Sequence, residues 1–460
     1  MNYNPNDKDS IIQYARLLTG QTLRDACNKE ILEHNYKGKG NFGQVLEKFY
    51  FEYEPNNESE PDFAFAGIEL KSSPLKQLQN LEYRAKERLV LNIINYIDLI
   101  NQDFETSGFY RKNACLLLVF YLHDSNLDII DYIIKIVDEW SFTETDLAVI
   151  KKDWEFIRDK VRAGKAHELS EGDTFYLGAC TKGQNSNSTR QQPNSQILAM
   201  QRAFSFKQSY VNHIIASIAN ESIGIYGKLI LSAERAQAQT IEEIVIEKFA
   251  PYLGNTINQI IDKTNISLNP TAKSFYANLT NAILGIELDK KIEEFDKAEI
   301  IVRTVRLKEN NLPCEDISFP TFKFEKIIKE EWIDSDFKDV LDHKFLFIFY
   351  QYEAKQLILK KAKFWNMPFE DIQEAENVWN ETKRIVQSGN IVNKVISNRR
   401  FTNFPNKSFN AVAHVRPHAK NALDTYTLPV KDELTGTTEY TKHCFWLNSS
   451  YVRDEIYLKS

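Results

Sequence analysis

The sequence predicts an α/β (α+β) protein of two tandem domains, each a mixed central sheet flanked by helices. Three observations carry this expectation. The chain has 460 residues, 43% of them hydrophobic, enough to bury two ordinary cores. Short apolar, strand-like runs alternate with amphipathic stretches, the order of a layered mixed fold. The chain also repeats itself at an offset of about 230 residues, too long a period for a solenoid and suited to a duplicated domain.

The repeat is legible in short strings. Gly20-Gln-Thr-Leu23 recurs as Gly254-Asn-Thr-Ile257, and Leu116-Leu-Leu-Val-Phe-Tyr121 as Phe345-Leu-Phe-Ile-Phe-Tyr350. Trp154, ten residues before Gly164, matches Trp379, ten before Gly389; Phe204-Ser-Phe matches Phe445-Trp-Leu. Domains are therefore expected at 1–220 and 241–460. A linker is expected at 221–240, where Glu221-Ser-Ile-Gly-Ile-Tyr-Gly precedes the Ala/Gln-rich Ala233–Thr240.

Within the first domain, a polar N-terminus leads into helices before a loop at Gly38. From there, Gly-Lys-Gly-Asn-Phe-Gly-Gln-Val-Leu-Glu-Lys-Phe-Tyr runs into an amphipathic helix with a stripe of Phe42, Val45, Leu46, Phe49 and Tyr50. Glu47 interrupts the edge of that stripe, and Gly43 one turn earlier leaves room beside it. Strands are expected at about 65–71 and 115–121, flanking a long amphipathic helix near 82–100, with further helices and strands to about 218. Asn185–Asn194 is polar and rich in breakers, so an exposed loop is expected there.

Composition narrows the class. Five scattered cysteines (27, 115, 180, 314 and 444) form no CxxC pair or zinc spacing, as in reduced cytoplasmic proteins. The polar opening carries no secretory signal, and no apolar run reaches the roughly 18 residues that suggest a membrane span. The formal charge of −7 argues mildly against a nucleic-acid binder. The basic clusters are local, however, and a metal-dependent nuclease also needs acidic ligands.

The chemistry gathers in Glu60-Pro-Asp-Phe-Ala-Phe-Ala-Gly-Ile-Glu-Leu-Lys71. Side chains alternate along a strand, so Ile68 and Leu70 face one way while Glu69 and Lys71 face the other. The apolar pair can enter a core and leave a carboxylate and an ammonium side by side on an open face. Asp62 can return beside them through a turn eased by Gly67. Mg²⁺ prefers oxygen ligands and usually takes one or two carboxylates, keeping other positions for water and phosphate. An ordinary strand carrying an exposed Glu–Lys pair shows the same short motif, and the spacing alone does not decide between them.

Together, Pro61-Asp-Phe-Ala-Phe-Ala-Gly-Ile-Glu-Leu-Lys71 and the Gly38–Tyr50 segment resemble the MutH-type branch of the PD-(D/E)xK nucleases. That family includes a mismatch-repair nickase and two-domain type II restriction enzymes that cut at GATC. Lys86–Tyr96, Gly164–Gly172, Arg202-Ala-Phe-Ser-Phe-Lys207, His414-Val-Arg-Pro-His418 and Phe445-Trp-Leu-Asn448 resemble the restriction branch and extend the likeness over nearly the whole chain. The resemblance implies catalytic positions at Glu47, Asp62, Glu69 and Lys71, with Asp62, Glu69 and Glu47 toward Mg²⁺. It also implies DNA contacts from Lys37, Lys39, Lys112, Lys182, Lys207, Arg416 and His418.

The expected function is a type II restriction endonuclease that hydrolyses double-stranded DNA at GATC and leaves 5′-phosphate ends. Its functional partner would be a cognate DNA methyltransferase, and DNA would drive homodimer formation; no membrane is involved. Aligned by local strings, Glu69-Leu-Lys71 falls on Arg306-Leu-Lys308 and Glu47 on Asn281. Asp62 has only Asp296 or Glu299 near its counterpart. An arginine cannot replace a carboxylate ligand, so the second domain is expected to be a degenerate copy serving as a DNA-binding effector. The alternatives are a MutH-like nickase acting at hemimethylated GATC and a non-catalytic DNA-binding regulator.

Overall fold

The computed structural model describes residues 2–27, 41–55, 60–183, 188–219, 224–396, 399–433 and 435–459. The chain divides into two compact units. The first comprises Met1–Ser170, Thr174–Ile241 and Asp289–Glu299; the second comprises Glu171–Asp173, Glu242–Leu288 and Ile300–Ser460.

In the first unit the elements include α1 (Lys8–Arg16), α2 (Asn41–Val45), β1 (Glu69–Gln77), β2 (Tyr83–Ala85), β3 (Leu89–Ile93), α3 (Gly108–Asn113), β4 (Cys115–Leu122), β5 (Ile134–Ser141), α4 (Glu144–Arg162), β6 (Leu177–Thr181), β7 (Arg202–Phe206) and α5 (Gln208–Ile218). Helix starts follow their capping residues. Asp7 accepts from the Asp9 and Ser10 amides ahead of α1, and Thr143 accepts from Asp146 ahead of α4. The main sheet has the order β2–β1–β4–β5, with β1 parallel to β4 and β4 antiparallel to β5. A second sheet, β3–β7–β6, is antiparallel. One apolar core lies against β1 and β4, where Ile68, Leu70, Leu117 and Val119 meet Phe42, Val45 and Leu46.

The helix expected near 82–100 is replaced by β2, β3 and a short helix at Tyr96–Leu99. Leu89, Val90, Leu91, Ile93 and Ile94 satisfy helical spacing and strand alternation alike, so pattern alone could not separate them. Pairing decides: β3 binds β7, with Leu89 and Leu91 buried and Val90 and Asn92 only half-buried.

The expected linker is also corrected. Its described part packs into the first unit, where Leu229, Ile230 and Ala236 are buried. Glu294, on the short helix Glu293–Lys297, accepts from the Leu229 and Ile230 amides at 2.8–3.0 Å. Lys297 of that helix bonds Asp146 at 2.9 Å and Glu293 at 2.9 Å. The segment 289–299 thus completes the first unit through polar groups that hydropathy patterning does not register.

The second unit contains α6 (Phe275–Leu284), β8 (Ile301–Leu307), β9 (Ile317–Phe322), α7 (Asp336–Leu341), β10 (Phe345–Glu353), β11 (Gln356–Trp365), α8 (Phe369–Ser388), β12 (Ala413–Pro417) and β13 (His443–Leu447). Its sheets, β8–β10–β11 and β9–β13–β12, repeat the pairings of the first unit. The likeness reaches single bonds. Gly20 (φ +84°) donates to the Ile134 carbonyl, and Gly254 (φ +80°) donates to that of Leu359. Strand β4 pairs with β5 through a register break at Phe120/Tyr121, and β10 with β11 through one at Phe349/Tyr350.

That register corrects the alignment of the two copies. Glu69 and Lys71 pair with Leu116 and Leu118 of β4. The matching positions on β10, Phe345 and Phe347, pair with Ile301 and Arg303. Ile301 therefore stands in the place of Glu69 and Arg303 in that of Lys71, each five residues before its string match, Arg306 and Lys308. Arg306 instead lies near the end of β8 and pairs with Glu315 at 2.6 Å.

Candidate active site

A cleft of about 590 Å³ opens beside the first residues of β1, lined by Glu47, Asp62, Glu69, Lys71 and Lys112 with Leu91, Asn92, Asp98, Phe109 and Phe204 among others. The local sequence explains how three of these converge. Phe63 and Ile68 pair across a tight loop in which Gly67 adopts φ +67°, a conformation that suits glycine. Ile68 and Leu70 enter the core, which turns Glu69 and Lys71 toward the cleft. Asp62 and Glu69 then brace each other. The Asp62 amide donates to Glu69 Oε2 at 3.1 Å, and the Leu70 amide donates to Asp62 Oδ2 at 3.0 Å.

Lys71 Nζ lies 2.5 Å from Glu69 Oε1, and Lys112 Nζ, from α3, lies 3.6 Å from the same oxygen. The face expected to be open is partly closed: the Glu69 side chain is only 2% exposed and that of Lys71 18%. Glu47 arrives on a π-helical turn, Leu46–Tyr50, that continues α2, a local widening common at functional sites. Gly43 makes room as expected. A Cβ there would meet Ser72 Oγ at 3.3 Å and Glu47 Oε1 at 3.9 Å.

The electrostatics are those of crowded carboxylates. Burial, then the negative charge of Glu69, raises the Asp62 carboxyl to about 7 despite Lys71 and the Leu70 amide. Burial also raises Glu47, an effect opposed by Lys71 and Lys112 and assisted by Glu69. Among the described residues, no cluster of three or more His, Cys, Asp or Glu is already gathered closely enough to hold a metal ion. Asp62 and Glu69 do fit a divalent cation's usual demand for one or two carboxylates, and added positive charge would relieve their mutual repulsion.

Residues 51–153 match the family described as DNA mismatch repair enzyme MutH. The type II restriction enzyme Sau3AI of Staphylococcus aureus is 35% identical over 94% of this chain and 96% of its own length. The chain belongs to the MutH-like restriction endonucleases. MutH proteins proper are similar over a shorter span. That of Shewanella woodyi is 27% identical over 49% of this chain and 96% of its own length, and that of Yersinia enterocolitica 24% over 46% and 93%.

In this MutH-like nuclease, Glu47, Asp62, Glu69, Lys71 and Lys112 come together at one cleft. Lys37 and Lys39 lie outside the described residues. Lys182 is exposed just beyond β6, and His418 is exposed just beyond β12, 5.2 Å from the Trp446 ring. Arg416 is partly exposed, lies 3.8 Å over the Trp446 ring and pairs with Asp316 at 2.9 Å.

Lys207 requires correction as a DNA contact. It is 3% exposed, and its ammonium donates to the Thr174 and Ala298 carbonyls at 3.0 Å each. A buried ammonium bonded in this way is a strut of the first unit and does not reach a phosphate.

Two features of the site were not read from the sequence. Asp98 brings another carboxylate to the cleft wall on a helix capped by Asn95, whose side chain accepts from Ile97 and Asp98; the Asn95-x-x-Asp98 spacing was the available signal. Tyr53 places a solvent-shielded hydroxyl, without a hydrogen-bond partner among the described residues, within electrostatic reach of Asp62, Glu47 and Glu69. No sequence motif announces it.

Proposed function

We propose that this type II restriction endonuclease cuts double-stranded DNA at GATC with Mg²⁺, leaving a 5′-phosphate and a 3′-hydroxyl. The observation that carries the chemistry is the mutual bracing of Asp62 and Glu69 with Lys71 against Glu69. Asp62 and Glu69 would hold the metal, with Glu47 supporting it or its water shell. When bound, the ion would supply charge stabilisation at the scissile phosphate and lower the pKa of water. Lys71 orients the attacking water and offsets developing negative charge, and Lys112 adds a second cation at the same carboxylate. The GATC target is supported by family resemblance over both halves of the chain.

The second unit is proposed as a DNA-binding effector. Ile301 stands where the first unit has Glu69, and an alkyl group offers no metal ligand. Arg416 would read a base edge there, since a guanidinium can bond guanine O6 and N7 together. DNA would promote pairing of two catalytic units, each cutting one strand, in the cytoplasm beside a cognate methyltransferase that protects host sites.

The test is cleavage of plasmids with no, one or two GATC sites in Mg²⁺, Ca²⁺ or excess EDTA, followed by sequencing of the ends. Linear product confined to GATC plasmids in Mg²⁺ is expected. Cutting in EDTA, or equal digestion without GATC, rejects the reading. The effector role predicts faster cutting of two-site plasmids, stimulation by a short GATC duplex in trans, and loss of that response in Arg416→Ala.

A further inference from the structure

The second unit has lost the acidic residue of the metal site but retained a cation, and the surroundings of that cation are unusual. Three positions of the first unit's cleft can be carried to the second by structure. Glu69 maps to Ile301 and Lys71 to Arg303 through the register of β1–β4 and β8–β10. Lys112 maps to Val340 through its helix. Ser107 caps α3 by accepting from Tyr110, and Ser335 caps α7 by accepting from Lys338, so the fifth residue after each cap corresponds. The preceding turns agree as well: Phe104 lies 5.7 Å from Trp154, and Trp332 lies 5.7 Å from Trp379.

The replacements change the character of the site. Ile301 and Val340 pack against the second unit's apolar core. Arg303 remains two residues after Ile301 on β8, partly buried, and its shielded Nε has no hydrogen-bond partner among the described residues. Burial lowers the guanidinium's pKa, and among the described residues no neighbouring carboxylate compensates. Lys71, by contrast, rests 2.5 Å from Glu69. Leaving a buried cation uncompensated is costly, and a guanidinium is the side chain best shaped to take a phosphate.

We propose that Arg303 is a phosphate-binding residue of the second unit, taking a DNA phosphodiester in the place where the first unit has its catalytic lysine. Replacement of the neighbouring carboxylate by isoleucine frees the cation from an internal partner. The vestigial site then grips the backbone without cutting it, while sequence reading is left to groups elsewhere in the unit. This inference rests on the proposed DNA-binding role of the second unit.

The experiment titrates the full chain in EDTA with a short GATC duplex, measuring stoichiometry and the salt dependence of the second binding event. Wild type is expected to take two duplexes. Arg303→Met should weaken the second event about tenfold and lower its slope in log K against log salt by about 0.9, the loss of one phosphate contact. Its melting temperature should stay level or rise, because an uncompensated charge has been removed. Arg303→Gln provides the same test with a polar side chain if the methionine variant does not fold. Two duplexes bound by wild type, with both affinity and slope unchanged in the variant that folds, overturns the Arg303 assignment alone. A single duplex per wild-type chain overturns the second-unit binding reading and this inference with it.

Discussion

Asp62 and Glu69 hold each other in place: the Asp62 amide donates to the Glu69 carboxylate, while the Asp62 carboxylate accepts from Leu70, the next residue after Glu69. Two acidic groups are thereby fixed at one edge of β1 before any cation is added. Burial adds to their repulsion in raising Asp62, while Lys71 opposes both and, with Lys112, faces the Glu69 carboxylate.

Asp62→Asn, Glu69→Gln and Lys71→Ala should each reduce single-turnover cleavage by at least about a hundredfold. Circular dichroism should remain native for all three. Glu69→Gln should lower the melting temperature most, because it leaves two partly buried ammonium groups without their shared carboxylate. Near-normal cleavage by Glu69→Gln would remove it from the catalytic set.

Metal binding should release protons. Asp62 is raised to about 7 without metal, so near pH 6 most of it is protonated and must ionise to become a ligand. Affinity for Mg²⁺ or Ca²⁺ should climb from pH 6 to 8 and then flatten. Calorimetry in two buffers of different ionisation enthalpy should find close to one proton released at pH 6 and only a small fraction of one at pH 8. Equal release at both pH values would contradict the assignment.

Lys207→Met should destabilise the first unit by about 2–4 kcal/mol, since two interior carbonyls lose their donor and buried Asp153 loses a nearby positive charge. The salt slope of DNA binding should not change. A slope reduced by one phosphate contact would return Lys207 to the DNA interface.

Acid should weaken the second unit through His443. Burial depresses this imidazole to about 4; its Nδ1 contacts the Thr441 carbonyl, and its shielded Nε2 has no partner among the described residues. The folded-state pKa lies below the unfolded one, so the neutral ring's contribution is complete above pH 6.5 and is lost as pH falls through 4. The full effect is about 3 kcal/mol. Melting of the full chain from pH 7 to 4 should show the second unit's transition falling, and His443→Asn should flatten that fall.

The sequence by itself determined the duplication, the two-unit mixed architecture and the carboxylate–lysine string. These rest on short-range rules: alternation along β1 sends Ile68 and Leu70 inward and Glu69 and Lys71 toward the cleft, and Gly67 permits the turn behind them. Only tertiary structure decided what depends on partners distant in the chain. Leu89–Ile93 became a strand because β7 was available to pair with β3. Arg303, rather than Lys308, took the place of Lys71 because register is set by bonds to β10, which string similarity does not sense. Lys207 became a strut because the segment 289–299 brings the Ala298 carbonyl to it. A charged residue has the same local signature whether it faces solvent or a buried carbonyl, and the fold alone chooses between them.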